Sequence, residues 1–266
     1  MPQMESNALV LYSQNYKEQD KLVKIFTKKH GKRMFFLKNP SKSRLNFGIQ
    51  PLTSANMIFQ INDTGFSFIN DISEVRIFKN INEDIFLNAH ASYLVALADA
   101  SISDNIKDIP LFEFLTKSLE LIDSGFDREV VTNIFELQIM GHFGSSIDFS
   151  QCVFCHRTDL PMDYSFKYNG CLCVNHFNED ERRSHLDPNV IYFANLFMHV
   201  DLNKIQNISL KDDLKKKIRL FIDELYEEYV GIHLKPKKFL DQMDSWSNLM
   251  TDLGQTRKIE ENGKES

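Results

Sequence analysis

No uncharged apolar run in this 266-residue chain approaches the roughly 18 residues a membrane-spanning helix needs, which excludes such a span. The opening residues, Met1-Pro-Gln-Met-Glu-Ser6, lack a basic stretch followed by an apolar one. No secretion signal is expected, and the chain is read as cytoplasmic. Also missing are the phosphate-cradling G-x-x-x-x-G-K-[ST] loop, the dinucleotide motif G-x-G-x-x-G and the metalloprotease motif H-E-x-x-H. The H-x-E that zinc deaminases place beside C-x-x-C is absent, as is G-x-S-x-G. Acidic pairs such as Glu227-Glu228 lie on a helical pattern among lysines and read as solvated surface. No enzymatic activity is expected. Internal repeats and low-complexity linkers are lacking too.

What the chain does contain is an uneven distribution of charge. Its formal net charge of −6 argues against a nucleic-acid partner. The average hides a split, because residues 1–79 hold 12 Lys/Arg against 6 Asp/Glu, while residues 80–266 hold 19 against 31. A basic head on an acidic body says more about partners than the total does.

The head has the pattern of short strands. Ala8-Leu-Val-Leu-Tyr12 is apolar and β-prone, and Leu22–Phe26 and Arg33–Leu37 flank a turn at Gly31. Ala55–Ile61 and Phe66–Ile69 flank a second turn, Asn62-Asp-Thr-Gly65, and Val75-Arg-Ile-Phe78 follows. About five short strands suit a small closed barrel such as an OB-fold, and an SH3-like barrel reads much the same. After Asn80 the period becomes helical. Stripes run through Ile85–Ala100, Leu111–Ile122, Val190–Val200 and Leu214–Tyr229, while Val130–Met140 is apolar nearly all round and predicts a buried central helix. The pattern gives an α+β fold class, a small N-terminal β-barrel of either kind followed by a helical domain. The boundaries are 1–80 for the barrel, 81–246 for the helical domain with its metal segment at 150–178, and 247–266 for a flexible tail.

All four cysteines fall within 22 residues. Cys152-Val-Phe-Cys155, 17 residues, then Cys173-Val-Asn-His176 give C-x2-C-x17-C-x2-H. A two-residue gap lets two side chains on one tight turn converge on a tetrahedral ion. Cys152, Cys155, Cys173 and His176 are the expected ligands of one Zn2+, with Cys171 spare. Four protein ligands leave no open coordination position, so the zinc is expected to be structural. A disulfide or a thioredoxin-like redox pair is the competing reading. His30, His90, His142, His156, His185, His199 and His233 show no ligand spacing.

Between Lys17 and Arg44 ten basic residues face only Glu18 and Asp20. Lys24, Lys28, Lys29, Lys32, Arg33, Lys38, Lys42 and Arg44 are the candidate DNA contacts. On strands, Lys24 and the Lys28–Arg33 group are expected to point outward, and Lys38-Asn-Pro-Ser-Lys-Ser-Arg44 is a loop by composition. Among Phe35, Phe36, Phe47, Phe59, Phe66 and Phe68, one or two are candidate base-stacking platforms and the rest core. Phosphate contacts of this kind give affinity without sequence specificity and weaken steeply with salt.

The order of these features resembles the RecO family of bacterial recombination mediators, from about Leu9 to Lys238. The carrying residues are Ala8–Tyr12, Asp20-Lys-Leu22, the basic hairpin, Lys38…Gln50-Pro-Leu-Thr53, and Phe166…Gly170-Cys-Leu-Cys173 beside the C-x-x-C. The text as a whole is similar to members from Gram-positive cocci and lactic-acid bacteria. Two departures stand out. Lys38-Asn-Pro-Ser-Lys42 replaces an Arg-Gly-Ala-Arg-type loop, keeping charge but losing bidentate guanidinium contacts. Cys171 replaces the second glycine of a Gly-Gly pair. The resemblance implies an N-terminal OB-fold β-barrel followed by a helical domain with an embedded zinc-binding segment. It implies binding of single- and double-stranded DNA, ATP-independent annealing of complementary strands, and work with RecR. It further implies indirect help in loading RecA onto DNA coated by single-strand-binding protein, whose acidic, Phe-ended tail is bound as well. The alternatives are a non-enzymatic zinc-containing protein-interaction scaffold and, more distantly, a zinc hydrolase or deaminase.

Overall fold

The computed structural model describes residues 3–40, 44–62, 65–206 and 208–243, with the backbone alone at Arg44. Five strands come first: β1 (Met4–Tyr16), β2 (Asp20–Thr27), β3 (Gly31–Leu37), β4 (Thr53–Gln60) and β5 (Ser67–Ile77). They close in the order β1-β2-β3-β5-β4, with β4 returning antiparallel to β1. The β3–β5 seam is parallel and short, formed by Phe35 with Ser67 and Phe36 with Phe68. This order and this single parallel seam are those of the OB-fold expected from the sequence. Val75–Phe78 is not a separate strand, because β5 runs on through a bulged pairing with β4 as far as Ile77.

Alternation explains the barrel interior. Thr53, Ala55, Met57 and Phe59 of β4 point inward in strict period two, and Val23, Ile25, Phe35 and Leu37 meet them from β2 and β3. Gly31 takes φ +73° in the β2–β3 turn. A Cβ there would also meet the Ile106 carbonyl oxygen at 2.3 Å, so the turn needs glycine twice over. Outward-facing Leu9, Leu11, Phe26 and Leu52 belong to a different core, shared with the helices. Phe26, for example, meets Phe112 edge-on at 5.4 Å.

The helical body comprises α1 (Lys79–Glu83), α2 (Ile85–Ser101), α3 (Ile109–Asp123), α4 (Arg128–Ile139), α5 (Pro188–His199) and α6 (Asp212–Tyr229), and a further helical stretch covers 235–243. Asp84, Asp108, Asp127 and Asp187 each accept a backbone N–H at the start of a helix. Such caps stabilise a helix by about 1 kcal/mol each, so part of the acidity of the body is local architecture. Helix α4 packs against α2, α3, α5 and α6, as its apolar circumference predicts. Of its two acids, Glu129 lies in the first turn, and Glu136 is fully buried, bonded by Tyr93 Oη at 2.6 Å and paired with Arg219. The α4–α5 connection carries a hairpin, β6 (Met162–Ser165) and β7 (Gly170–Cys173), that the sequence reading did not anticipate. Among the described residues no helix is long and apolar enough to cross a membrane. The expected tail at 247–266 lies outside them.

Candidate metal centre and nucleic-acid interface

The Cys152–Cys155 turn opens the segment between α4 and α5. Its tightness comes from the His156 N–H donating to the Cys152 carbonyl at 2.9 Å, while the Val153 N–H donates to Cys171 O, also at 2.9 Å. That second bond lays the turn across β7. Gly170 permits the approach, since a Cβ there would sit 2.5 Å from Val153 Cγ1. Strand β7 ends at Cys173, and the following 3-10 turn carries His176 back to the same point.

The four ligand atoms all lie within 4.8 Å of one another. Cys155 Sγ is 3.7 Å from Cys173 Sγ, and His176 Nδ1 is 3.6 Å from Cys152 Sγ and 3.4 Å from Cys173 Sγ. With bonds of about 2.3 Å to sulfur and 2.0–2.1 Å to nitrogen, a tetrahedral ion needs donor separations of about 3.5–3.8 Å. The donor set therefore fits one metal ion. A disulfide between Cys155 and Cys173 would need about 2.05 Å, which the separation excludes here. Phe154 stacks on the His176 ring at 5.4 Å and fixes its plane.

The thiols divide in character. Burial opposes the Cys152 thiolate, but the backbone N–H groups of Cys173, Cys155 and Phe154 outweigh it and bring the thiol down to about 6. Cys171 has no such donors, and burial pushes it up to about 12. Its sulfur turns toward the Phe149 carbonyl, 3.9 Å away, outside the ligand group. The spare cysteine is thus a buried thiol with the packing role of a small apolar side chain.

The lysines of the head separate into two sets. Lys24 is only 6% exposed and Lys32 only 1%. Lys24 pairs with Asp104, and Lys32 donates to Asp99 Oδ1 at 2.8 Å and to the Asp99 carbonyl. Lys28 reaches Glu113 at 2.6 Å. These three do leave the barrel outward, as expected, but Lys24 and Lys32 meet the α2–α3 corner of the body rather than solvent. The expectation of solvent-facing cations is corrected at those two positions, because the outer face of β2 and β3 is also the seat of the helical body. The Asn105 N–H donating to Lys32 O at 2.9 Å reinforces the contact.

The remaining set is open. Lys29 and Lys38 are exposed, while Arg33 is half-buried with its Nε donating to His30 O at 3.2 Å. Lys38 follows the end of β3, where Asn39 ties the strand to the β1–β2 turn by an N–H bond to Asp20 Oδ1 at 3.0 Å. Lys42 and the Arg44 side chain lie outside the described residues. Of the phenylalanines, Phe35 and Phe59 are interior and Phe36 is half-buried, whereas Phe47, Phe66 and Phe68 are exposed.

One further feature escaped the sequence reading. A cavity of about 330 Å³ lies between α4, α6 and the 235–243 helix. Its wall includes Arg128, Lys215, Lys216, Arg219 and Lys237, with Leu220 and Leu240 supplying apolar surface. Lys215 and Lys237 have carboxylate partners, but Lys216 is exposed and has none among the described residues. Four separate sequence regions build this wall, His90 of α2 being the fourth, so no local motif marks it.

Comparison with known proteins bears on both sites. Residues 1–78 match the family described as "Recombination protein O N terminal", and residues 82–238 match "Recombination protein O C terminal". DNA repair protein RecO of Lactococcus lactis subsp. lactis (strain IL1403) is 60% identical over 250 residues, 94% of this chain and 100% of the relative. DNA repair protein RecO of Streptococcus suis (strain 05ZYH33) is 53% identical over 260 residues, 98% of this chain and 100% of the relative. That of Streptococcus agalactiae (serotype III, strain NEM316) is 54% identical over 246 residues, 92% and 97% respectively. With a five-stranded OB barrel, a helical body holding a Cys3His group and near end-to-end similarity to these relatives, the chain belongs to the RecO family.

Proposed function

We propose that this chain is a non-catalytic mediator of recombinational DNA repair. It binds single- and double-stranded DNA through the open end of its barrel, anneals complementary strands without ATP and, with RecR, helps load RecA onto DNA coated by single-strand-binding protein. The observation that carries the reading is RecO-family membership over nearly the whole chain, supported by an OB barrel whose uncovered end carries the exposed cations Lys17 and Lys38. Phosphate contacts from Lys38 and the Lys42–Arg44 segment, with Lys29 of the β2–β3 turn a separate contact at the far end of the strands, supply affinity without base readout.

The Cys152, Cys155, Cys173 and His176 group fits a zinc ion, which would fill all four positions and act as a cross-link of the α4–α5 segment. The chain's own residues then do the positioning: β7 and the Cys152–Cys155 turn hold the thiolates, and Phe154 orients the imidazole. An acidic peptide ending in an aromatic side chain, the chemistry of the single-strand-binding protein tail, suits the cationic, leucine-lined cavity at α4 and α6. The scaffold alternative draws support from Lys24 and Lys32, which already engage acidic protein surface within the chain itself.

The deciding experiment is a salt-titrated binding curve with single-stranded DNA, on the wild type and on Lys38→Ala. A steep loss of affinity with salt is expected, and the variant's slope should be shallower by roughly one counterion. Salt-independent binding, or no binding at low salt, would sink the reading.

A further inference from the structure

Aromatic rings on the outside of a sheet call for an explanation when they stay exposed among the described residues. On the barrel, β3 presents Phe36 outward, and the parallel seam places Phe68 of β5 directly beside it. Phe66 and Tyr16 complete the group. Phe36 lies 6.0 Å from Phe66 with the rings nearly parallel, and Phe68 and Tyr16 stand edge-on to Phe36 at 6.1 Å each. Phe66 is 37% and Phe68 41% exposed, so the platform faces solvent. It sits at the opposite end of β2 and β3 from Phe26 and Lys32, where the helical body docks.

Charge at the edge of the platform identifies what it takes. Lys17 holds its ammonium 5.4 Å from the Tyr16 ring centre, and Lys38 follows Phe36 by two residues on the same strand direction. Both are exposed and neither pairs with a described carboxylate. Of the two acids nearby in sequence, Asp20 is engaged by the Asn39 N–H, which leaves Glu18. Apolar π-faces bordered by free cations are complementary to a polyanion that exposes flat apolar groups. A duplex hides those faces in its stack. A single strand does not.

We propose that Tyr16, Phe36, Phe66 and Phe68 form a base-stacking platform for unpaired bases, with Lys17 and Lys38 holding the adjoining phosphates. This inference rests on the nucleic-acid reading above and adds to it a preference for bases over bare backbone. The cations alone would bind any phosphate chain equally; the rings give the barrel a way to favour single strands.

The test compares a labelled oligothymidylate with an abasic oligomer of equal length, by fluorescence anisotropy on the full chain at low salt. Wild type should bind the thymidylate about tenfold to a hundredfold tighter. The doubly substituted Phe66→Leu, Phe68→Leu chain keeps apolar surface but loses two π-faces, and it should lose most of that preference while its abasic affinity and salt slope stay unchanged. Phe66→Ala with Phe68→Ala should do the same. Equal wild-type affinity for both oligomers overturns the platform and leaves phosphate binding standing. No binding of either overturns both readings. A preference that survives the substitutions also overturns the assignment, as does a change in sedimentation from dimer to monomer with that preference intact, which would mark the patch as a contact between copies. Because the wild-type comparison stands alone, a variant that fails to fold does not protect the proposal.

Discussion

Lys32 and Lys38 lie six residues apart on and just beyond one strand, yet they have opposite fates. Lys32 is buried against Asp99, whereas Lys38 stands in solvent beside the aromatic platform. What separates them is the helical body, which seats Leu9, Leu11 and Phe26 at one end of the outer face, while at the other end Phe66 and Phe68 stay exposed among the described residues. A run of like charge in a sequence therefore mixes two kinds of cation. Some hold the domains together, and some are available to a partner.

Replacing Cys152 by Ser should produce the largest effect and should fall on the body alone. Structural zinc sites contribute on the order of 10 kcal/mol of apparent binding energy in isolated peptides. The expected outcome is loss of one metal equivalent, read by atomic absorption, with protease cleavage appearing within the 150–178 segment. DNA affinity of the barrel end should change much less. Unaltered thermal stability in a strong chelator would remove the structural role.

Next in size is Lys32→Ala, which tests whether the covered lysines are architectural. Removing the buried Lys32 leaves the partly exposed Asp99 carboxylate and its carbonyl without their donor, at a cost of about 1–3 kcal/mol. Urea unfolding should show that drop, whereas Lys38→Ala should stay within about 0.5 kcal/mol of wild type. The effects on DNA should be reversed. If Lys32→Ala weakens DNA binding as much as Lys38→Ala while remaining equally stable, the division between the two sets is wrong.

How much of this was legible in the sequence follows from the range of each interaction. The C-x2-C and C-x2-H pairs are local, and a two-residue gap constrains its side chains within one turn, so the ligand group was readable by spacing alone. Period two at Thr53–Phe59 and the apolar stripe of α6 were readable for the same reason. Strand alternation also showed that Lys24 and Lys32 leave the barrel outward. It could not show what waits there, because Asp99 and Asp104 lie more than 65 residues further along. The buried Glu136–Arg219 pair and the cationic cavity are likewise assembled from distant helices. Sorting six phenylalanines into core and surface needed the barrel to close, since the β3–β5 seam that joins Phe36 to Phe68 has no local signature.

A smaller effect separates head from body by pH. His90 on α2 is buried, bonded through Nδ1 to Thr132 Oγ1 at 2.8 Å, while its Nε2 has no partner among the described residues. Burial above all, together with the positive charges of Arg128, Arg219 and Lys237, lowers its pKa to about 3, only partly opposed by Asp127. In the unfolded chain the same imidazole takes its proton near 6.5. Between these values the unfolded state binds more protons, so the contribution is fully present above about pH 6.5 and is lost as the pH falls. The loss is about 1.4 kcal/mol per pH unit, or about 2 kcal/mol at pH 5. Urea unfolding at pH 7 and pH 5 should therefore show a larger decrease for wild type than for His90→Gln, which keeps a hydrogen-bonding side chain but cannot titrate. His90 belongs to the helical body and not to the barrel, so DNA binding by the folded protein should not share the difference between wild type and His90→Gln. Parallel pH profiles for the two proteins would mean that His90 is protonated without cost, and that the body accommodates a buried charge as readily as it accommodates Lys32.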